Sequence, residues 1–389
     1  MNTGKYVFAQ VTSLLPLNDF NKCAAKYKGH HKIKHFTFWN QLMCMLFGQL
    51  SNRDSLSDLI VCLNTQRNNW YHLGMGTGIS KSNLAYANEN RDCRIFADYT
   101  NVLIDYAQKI CRPNKDFSVI VEGNVYAVDS TTIELCMTVF CWAATFTKHK
   151  ASIKMHTQLD VKKNIPSFIH VSNWSVHDVG ILDMLKFEEG SFYILDRGYF
   201  DFVRLYSIHT SKAFFVTRLK GRTNYSRVYS AKTDRSSGVM CDQTIKFNHF
   251  YAKRKYPEQL RRVKYYDKES EVQFDFITNN FDLSALEIAQ LYKYRWSIEL
   301  FFKWIKQHLK MQRFWGHSEN AVRTQLYIAI TAYLNVAIFK EVHKIKHSNY
   351  EILQILSLTL LNKTPVNQLF QQHHVNENEK ENLNQLILF

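Results

Sequence analysis

Apolar residues recur at helical spacing through the first part of the chain, up to about residue 112. The clearest stretch, residues 36–63, keeps the helical period except for a break near Ser51 and Asn52. A further helix-like run opens at Ser80. These patterns predict a helical N-terminal domain. Its basic character suits DNA binding, although the packing of an ordinary core would give the same pattern.

The hydrophobic period changes after Pro113. Five short runs rich in β-branched and aromatic residues predict strands: NVYAVDSTT, ASIKMHTQLDV, PSFIHVSN, SFYILDRGY and AFFVTRL. Helical segments are expected between some of them, at residues 177–186 and 201–209. This order of elements predicts an α/β fold, in which helices flank a mixed sheet.

A basic segment follows these strands. From Lys212 to Lys264 the chain has 14 Lys and Arg residues against three acidic residues, within a protein of net charge +15. Its many Tyr, Thr and Val residues predict a β-rich structure. Charge of this size favours a polyanionic partner, and nucleic acid is the commonest one. A solubility effect without a partner is the alternative.

The last part of the chain is predicted to be mainly helical. After one more strand, VQFDFITNN, a capping-box pair of Ser284 and Glu287 begins a long helix that is expected to run to about Met311. The most apolar run, residues 325–339, contains polar residues such as Thr331, which indicates a buried helix and no membrane span. The first residues lack the pattern of a secretory signal, so we expect a cytoplasmic protein.

Two acidic residues follow predicted strands. Asp129 is expected to end the first strand, and Asp196 the fourth. Acids at the carboxyl ends of sheet strands point into the crevice where ligands usually bind. Each residue taken alone is also a common turn or helix-capping residue.

A third acid, Glu299, lies in the segment YKYRWSIELFFKWIKQ. The spacing of Tyr292, Arg295, Glu299 and Lys306 places all four on one stripe of a single helix. An exposed ladder of ion pairs is the alternative, and such surface pairs contribute only about 0–1 kcal/mol each. The aromatic residues around them, including Trp296, predict little solvated face and favour a functional site.

The three acidic segments together resemble the DDE transposases of insertion sequence family four. The hallmark of that family is Tyr-x2-Arg-x3-Glu-x6-Lys, which matches Tyr292, Arg295, Glu299 and Lys306. The AVDSTTI and LDRGYFD segments are similar to the first and second acidic motifs of the family. The likeness covers about residues 115–340, and the opening MNTGKYVFAQ is similar to a domain found ahead of such cores.

The resemblance implies a ribonuclease-H-like core with a β-rich insertion before the last catalytic helix. It also implies two divalent ions, normally Mg²⁺, for which Mn²⁺ can substitute. Asp129 is expected to bridge both ions, while Asp196 and Glu299 each hold one. Carboxylates suit these hard cations, whereas the cysteines and histidines match no zinc module.

The implied reaction is cut-and-paste transposition of DNA. Water nicks each element end, the freed 3′-hydroxyl forms a hairpin that is reopened, and the 3′-hydroxyls then attack target DNA. Tyr292, Arg295 and Lys306 are expected to grip phosphates. The partners are double-stranded DNA, with terminal inverted repeats and target, and a second copy of the chain in a synaptic homodimer.

Hairpin formation calls for an aromatic platform near the site. Better-understood relatives use a Trp of the inserted domain, but no Trp occurs between Trp174 and Trp296. This departure puts the hairpin in doubt and leaves the metal chemistry unaffected. The possible substitutes, each more readily explained as core or surface packing, are Tyr225, Tyr229, Phe250 and Tyr251.

The predicted organisation has five parts: a helical DNA-binding domain (1–112), the first part of the catalytic core (113–217), the basic β-rich insertion (218–276), the completion of the core by the Glu299 helix (277–345), and a helical, polar tail (346–389). The apolar helix after Val322 and the stretch ILQILSLTLL are candidate dimer interfaces. Packing within the hydrophobic core of a single chain explains the apolar residues of both equally well.

Further candidate contacts lie near the predicted acids. His177 contacts DNA or is a locally bonded residue at a helix start. Lys148, Lys150 and Lys154 line a DNA channel or a solvated face. Two other functions stay open: a nuclease that cuts DNA without joining it, and a non-catalytic repressor derived from a transposase.

Overall fold

A computed structural model describes residues 4–28, 33, 35–114, 117–145, 151–221, 223–311 and 313–370. Lys148, Lys150 and the part of the polar tail from residue 371 lie outside the described residues.

The N-terminal domain is helical, as the apolar periodicity predicts. Its helices are α1 (Val7–Thr12), α2 (Leu17–Lys26), α3 (Phe38–Leu50), α4 (Leu56–Asn64), α5 (Lys81–Asn90) and α6 (Arg94–Ile110). The predicted break after α3 falls at Asn52, whose φ of 58° lies in the left-handed region and ends the helix. The Ser80 hydroxyl accepts a hydrogen bond from the Asn83 N–H and so caps α5, as its position in the sequence indicates.

One nine-stranded mixed sheet forms the centre of the protein. Its strands are β1 (Val125–Leu135), β2 (Ala151–Asp160), β3 (Ile165–Asn173), β4 (Phe192–Leu195), β5 (Phe214–Arg218), β6 (Tyr225–Ala231), β7 (Val239–Phe247), β8 (Leu260–Asp267) and β9 (Val272–Thr278). The spatial order is β3-β2-β1-β4-β5-β9-β8-β7-β6. β1, β4 and β5 are parallel, and the other neighbouring strands are antiparallel. The first five strands form the mixed sheet of the predicted ribonuclease-H-like core.

The basic segment extends this sheet. β9 pairs with β5 on one side and with β8 on the other, so β6 to β9 continue the core sheet as an antiparallel ribbon. The ribbon also carries the short helix α8 (Phe250–Lys255) between β7 and β8. The β-rich prediction is confirmed. The division of the chain into five parts stays a prediction, and β9 crosses its expected boundary between residues 276 and 277.

Helices cover both faces of the sheet. The predicted segment 177–186 is a 3-10 helix over Asp178–Met184, and α7 (Phe202–Thr210) follows β4 with Asp201 as its capping residue. Alternate residues of β1 enter two different cores. Val125 and Ala127 join the larger core, which includes the N-terminal helices, whereas Tyr126 and Val128 join a smaller core with α7.

The predicted long helix after β9 is wrong in one respect, because the structure has two helices there. α9 (Ala285–Lys293) begins at the predicted capping box of Ser284 and Glu287, and α10 (Trp296–His308) follows. Between them, the Arg295 N–H bonds the Tyr292 carbonyl at 3.0 Å, an i→i+3 contact that replaces the helical i→i+4 pattern. α10 also ends before the predicted Met311.

The remaining helices are α11 (Glu319–Val342), α12 (Asn349–Thr359) and α13 (Val366–Leu369). Among the described residues, α11 is the one helix long and apolar enough to cross a membrane, but 94% of its apolar window is buried inside the protein. It is a core helix, as the polar interruptions predict. This burial indicates that the apolar residues of α11 pack inside a single chain, which favours a role in the core over a role as a dimer interface.

Candidate active site

The first two candidate acids stand side by side at the end of a parallel strand pair. The register of β1 and β4 ends with Val128 opposite Leu195, and Asp129 and Asp196 are the next residues. Asp196 ends its strand as predicted, and its carboxylate accepts a hydrogen bond from the Gly198 N–H. Asp129 does not end its strand, because antiparallel pairing with β2 continues β1 to Leu135.

Glu299 is linked to Asp129 through Arg295. Arg295 Nη2 lies 2.7 Å from Glu299 Oε1, and its Nη1 lies 3.5 Å from Asp129 Oδ2. Only 10% of the Arg295 side chain is exposed. The structure therefore brings carboxylates from β1 and α10 to one guanidinium, although they are distant in the sequence.

A second arginine, which the sequence did not indicate, supports Asp196. Arg218 at the end of β5 places Nη2 3.2 Å from Asp196 Oδ1. β4 and β5 are parallel neighbours, so both strands end at the same edge of the sheet. The parallel pairing could have suggested this partner, but the pairing itself is not visible in the sequence.

Contrary to the sequence prediction, the signature residues do not all lie on one helix, because Tyr292 is on α9 and Lys306 is on α10. Tyr292 lies on α9 and is only 6% exposed, with its ring 4.6 Å from that of Phe276. Lys306 lies on α10 and donates from Nζ to the Thr132 carbonyl on β1 at 2.8 Å. Tyr292 is close to the site, because its ring centre is 5.9 Å from the guanidinium carbon of Arg295. Lys306 contacts β1 at Thr132, three residues beyond Asp129.

The expectation that the Glu299 helix has little solvated face is only partly correct. Phe301 and Phe302 are buried, but Trp296 is 60% exposed and Leu300 is 64% exposed. Trp296 also lies beside the site, with its ring centre 5.3 Å from the guanidinium carbon of Arg295. An exposed aromatic surface thus adjoins the acidic residues.

The charges of the other two candidate acids act on Asp129. Burial raises the pKa of Asp129 to about 6; the charges of Asp196 and Glu299 add to the rise, while the Ser130 N–H and Arg295 oppose it. Burial alone would also raise the pKa of Asp196. Its bonds from backbone N–H groups and the charges of Arg295 and Arg218 outweigh burial and lower that pKa.

The donor atoms suit a hard divalent cation, since all three side chains offer carboxylate oxygens. As they are placed, no three Asp, Glu, His or Cys residues of the described chain are grouped closely enough to hold one metal ion. The Arg295 guanidinium instead neutralises two of the carboxylates. The site fits a divalent cation in its donor chemistry, and Arg295 already places positive charge there.

The remaining candidates have mixed outcomes. His177 is exposed at the start of the 3-10 helix and its side chain forms no capping hydrogen bond. Lys154 contacts the Val176 carbonyl at 3.0 Å and Asp178 at 3.1 Å, and it is only 19% exposed, so it lines no solvated face. Sequence reasoning missed Asp178, whose Oδ1 accepts a hydrogen bond from Ser130 Oγ at 2.7 Å.

Three of the four aromatic residues considered as a stacking platform are exposed. Tyr229 is 64% exposed, Phe250 70% and Tyr251 64%. Tyr225 instead packs its ring 5.3 Å from the guanidinium carbon of Arg262. β7 runs antiparallel to β8, β8 to β9, and β9 to β5, so Phe250 and Tyr251 after β7 lie at the sheet edge opposite Asp196.

Comparison with known families identifies the class of protein to which this fold and site belong. A family model described as "Transposase DDE domain" matches residues 122–335, more than half of the chain. A second model, described as a domain of unknown function (DUF4372), matches residues 3–76. The chain belongs to the DDE transposases, which are metal-dependent DNA endonucleases and strand transferases.

Similar proteins include transposases of insertion sequences. The putative transposase y4zB of Sinorhizobium fredii is 32% identical over 268 residues, which span 67% of this chain and 72% of that protein. The probable transposase for insertion sequence element IS5377 of Geobacillus stearothermophilus is 29% identical over 209 residues, spanning 53% of this chain and 54% of that one. This protein is therefore an insertion-sequence DNA transposase.

One solved structure is also similar. The piggyBac transposase synaptic complex with hairpin DNA aligns over 97% of this chain and 83% of its own, with 10% identity and a TM-score of 0.44.

Proposed function

We propose that Asp129, Asp196 and Glu299 are the catalytic carboxylates of this transposase. The observation that carries the proposal is the convergence of Asp129 and Glu299 on Arg295, next to Asp196. Half-buried carboxylates that repel one another oppose folding, and such arrangements are typical of functional sites. A divalent-cation site is the use that their oxygen donors suit best.

The proposed cofactor is a pair of Mg²⁺ ions, with Mn²⁺ as a substitute. The charges of Asp196 and Glu299 both act on Asp129, which would contact both ions, while Asp196 and Glu299 would each contact one. Such ions activate the attacking water or 3′-hydroxyl and stabilise the leaving oxygen. Arg295 offsets part of the charge of Asp129 and Glu299, and it would be free to bind phosphate once bound cations took over that role.

Side chains around the acids would hold the DNA. Arg295 presents a planar set of N–H donors that suits a phosphate. Lys306 would add a positive charge from α10, and Tyr292 would support the Arg295 side chain from α9. Trp296 offers an exposed face on which a distorted DNA end can stack, so hairpin formation does not require an aromatic residue of the insertion.

The substrate is double-stranded DNA, as expected for this family. We propose that it comprises the terminal inverted repeats of the element and the target DNA, bound by a homodimer that pairs two ends. Residues 1–112 would bind the ends, and residues 218–276 would add positive charge beside the core. The protein would act in the bacterial cytoplasm, on DNA of the nucleoid.

Cleavage of a supercoiled plasmid that carries the ends of the element tests this proposal. The wild type with Mg²⁺ should release linear element and form joined products, whereas Glu299→Gln should bind the ends without cutting them. Glu319→Gln is a matched control, because it also removes a Glu that is paired with an Arg one helical turn away. It should cut and join as the wild type does.

Each other outcome has a definite meaning. Nicking without joining by the wild type would show a nuclease, and binding without cutting by both proteins would show a repressor. Equal cutting by the wild type and Glu299→Gln would exclude Glu299 from catalysis.

A further inference from the structure

A fourth acid, Asp178, reaches the strand that carries Asp129. It is the first residue of the 3-10 helix that follows β3. Its Oδ1 accepts a hydrogen bond from Ser130 Oγ at 2.7 Å, and Ser130 is the next residue after Asp129 on β1. The backbone N–H of Ser130 lies 2.8 Å from Asp129 Oδ1. Ser130 therefore binds Asp129 with its main chain and Asp178 with its side chain.

Asp178 is itself fixed from β2. Lys154 Nζ lies 3.1 Å from Asp178 Oδ1 and 3.0 Å from the Val176 carbonyl, so one ammonium group contacts both the 3-10 helix and the segment just before it. His156, also on β2, is fully buried, with Nδ1 3.8 Å from Asp178. Its Nε2 is hydrogen-bonded to Ser172 Oγ on β3 at 2.8 Å. The carboxylate thus has partners on two neighbouring strands.

The buried Tyr199 closes this arrangement on the side of the second candidate acid. It lies in the short 3-10 helix that Asp196 caps, and its side chain is 2% exposed. Burial, followed by the negative charges of Asp129 and Asp178, raises its pKa. Tyr199 is therefore a buried neighbour of Asp129 and Asp178 that feels the charge of both.

We propose that Asp178 is a positioning residue, which acts through Ser130 to fix the orientation of the Asp129 carboxylate for cation binding. The inference rests on the proposed function, because it matters only if Asp129 is a ligand. Groups that orient metal ligands through hydrogen bonds typically change metal affinity or activity by about 10–100-fold when they are removed.

Asp178 is better suited to this task than to binding a cation itself. Its Oδ1 already accepts from Ser130 and lies beside Lys154, so the cationic Lys154 satisfies its charge. Asp129, in contrast, shares the Arg295 guanidinium with Glu299. A purely structural role, in which Asp178 only anchors the 3-10 helix, predicts loss of stability without an effect on cation affinity.

The test is Mn²⁺ binding, measured by electron paramagnetic resonance on the full chain without DNA. Ser130→Ala removes the hydroxyl link and leaves Asp178 paired with Lys154, and Asp178→Ala removes the acceptor. Both should bind Mn²⁺ about 10–100-fold more weakly than the wild type. The double variant should be no weaker than the weaker single variant, because both changes break one link. Ser130→Thr keeps the hydroxyl and should restore affinity.

Asp183→Ala is the matched control, because Asp183 lies in the same 3-10 helix but pairs with Arg204 away from β1. It should bind Mn²⁺ as the wild type does. Wild-type affinity in Ser130→Ala, additive losses in the double variant, or failure of Ser130→Thr to restore binding would each overturn the inference. Thermal unfolding of each variant shows whether a loss of affinity is merely a loss of folded protein.

A different set of results is expected if the proposed function itself is wrong. In that case the wild type and Glu299→Gln would bind Mn²⁺ equally weakly, and neither would cut the plasmid. If Glu299→Gln alone loses Mn²⁺ while Ser130→Ala and Asp178→Ala do not, the proposed function stands and the positioning role of Asp178 is refuted.

Discussion

Arg295 neutralises two acids that the fold forces together. Its guanidinium contacts Glu299 on its own helix and lies 3.5 Å from Asp129 on the sheet. A nearly buried cation in this place reduces the repulsion between the carboxylates. If these carboxylates bind divalent cations as proposed, the positive charge of Arg295 would compete with those cations.

Arg295→Ala should therefore destabilise the metal-free protein. We expect a decrease of about 2 kcal/mol in the free energy of unfolding, less than the roughly 3–5 kcal/mol of a fully buried pair because Glu299 is partly exposed. Mg²⁺ should restore more stability to this variant than it adds to the wild type. Chemical denaturation with and without Mg²⁺ measures both effects. If Mg²⁺ raises the free energy of unfolding equally in the wild type and in Arg295→Ala, then Arg295 does not compete with the cation.

His156 should make the stability depend on pH. Burial lowers its pKa from 6.5 to about 4, so the folded state keeps it neutral while the unfolded state takes up a proton below pH 6.5. The free energy of unfolding should therefore fall as the pH drops from 6.5 to 4, by about 3 kcal/mol in total from this residue. Denaturation across this range should show a flatter dependence for His156→Gln.

A matched histidine makes this test specific. His72 is exposed, so His72→Gln should keep the pH dependence of the wild type. If His156→Gln and the wild type lose stability in parallel between pH 6.5 and 4, another group is responsible.

At the scale of elements, the junction of α9 and α10 shapes the site. Its i→i+3 hydrogen bonds put Arg295 at the start of α10, one turn before Glu299. The junction is also tied to the N-terminal side of the core, since the Tyr294 hydroxyl accepts from the Ser118 N–H at 2.8 Å. Since α9 leads directly into this junction, fraying of α9 should disturb the site.

Two matching capping boxes allow that expectation to be tested. Ser284 caps α9 and Ser348 caps α12, each with a Glu three residues later. Either Ser→Ala variant should be less stable by about 1 kcal/mol. Ser284→Ala should also cut plasmid more slowly, whereas Ser348→Ala should cut at the wild-type rate below its melting temperature. Equal rates in the two variants would show that the cap of α9 does not influence the site.

At the scale of the whole molecule, positive charge collects on the ribbon that extends the sheet. Lys253, Arg254 and Lys255 on α8 are exposed, and none has an ion pair with another described residue. Exposed Phe250 and Tyr251 adjoin them. Unpaired cations beside aromatic faces suit a nucleic-acid backbone, and each phosphate that they neutralise releases counterions.

Replacing these three cations with Gln should weaken DNA binding mainly at low salt. The slope of log affinity against log salt should decrease by about 1 for each phosphate that the variant no longer binds. Filter binding or fluorescence anisotropy over a salt series measures this slope. The control replaces three paired surface cations, Lys22, Arg94 and Lys212, with Gln and changes the net charge equally. Equal slopes for the two triple variants would mean that only net charge matters.

Much of the site could be predicted from the sequence. Asp196 follows a strand of β-branched and aromatic residues, and the Ser284 capping box has a short-range pattern, so both are local features. The strand end at Asp129 was predicted wrongly, because pairing with β2 continues β1 and that pairing is not local. Asp178 and Arg218 were missed for the same reason, since their partners are 48 and 22 residues away.

The sequence by itself predicted most of the helices and strands in their order, the basic segment and the family signature, because periodicity, capping and charge depend on neighbouring residues. Only the tertiary structure decided that the basic block extends the core sheet, since this requires β9 to pair with β5 across the insertion. It also decided that Arg295 joins Asp129 to Glu299. Burial and opposite charge select such contacts between distant segments, and they act only once the chain has folded.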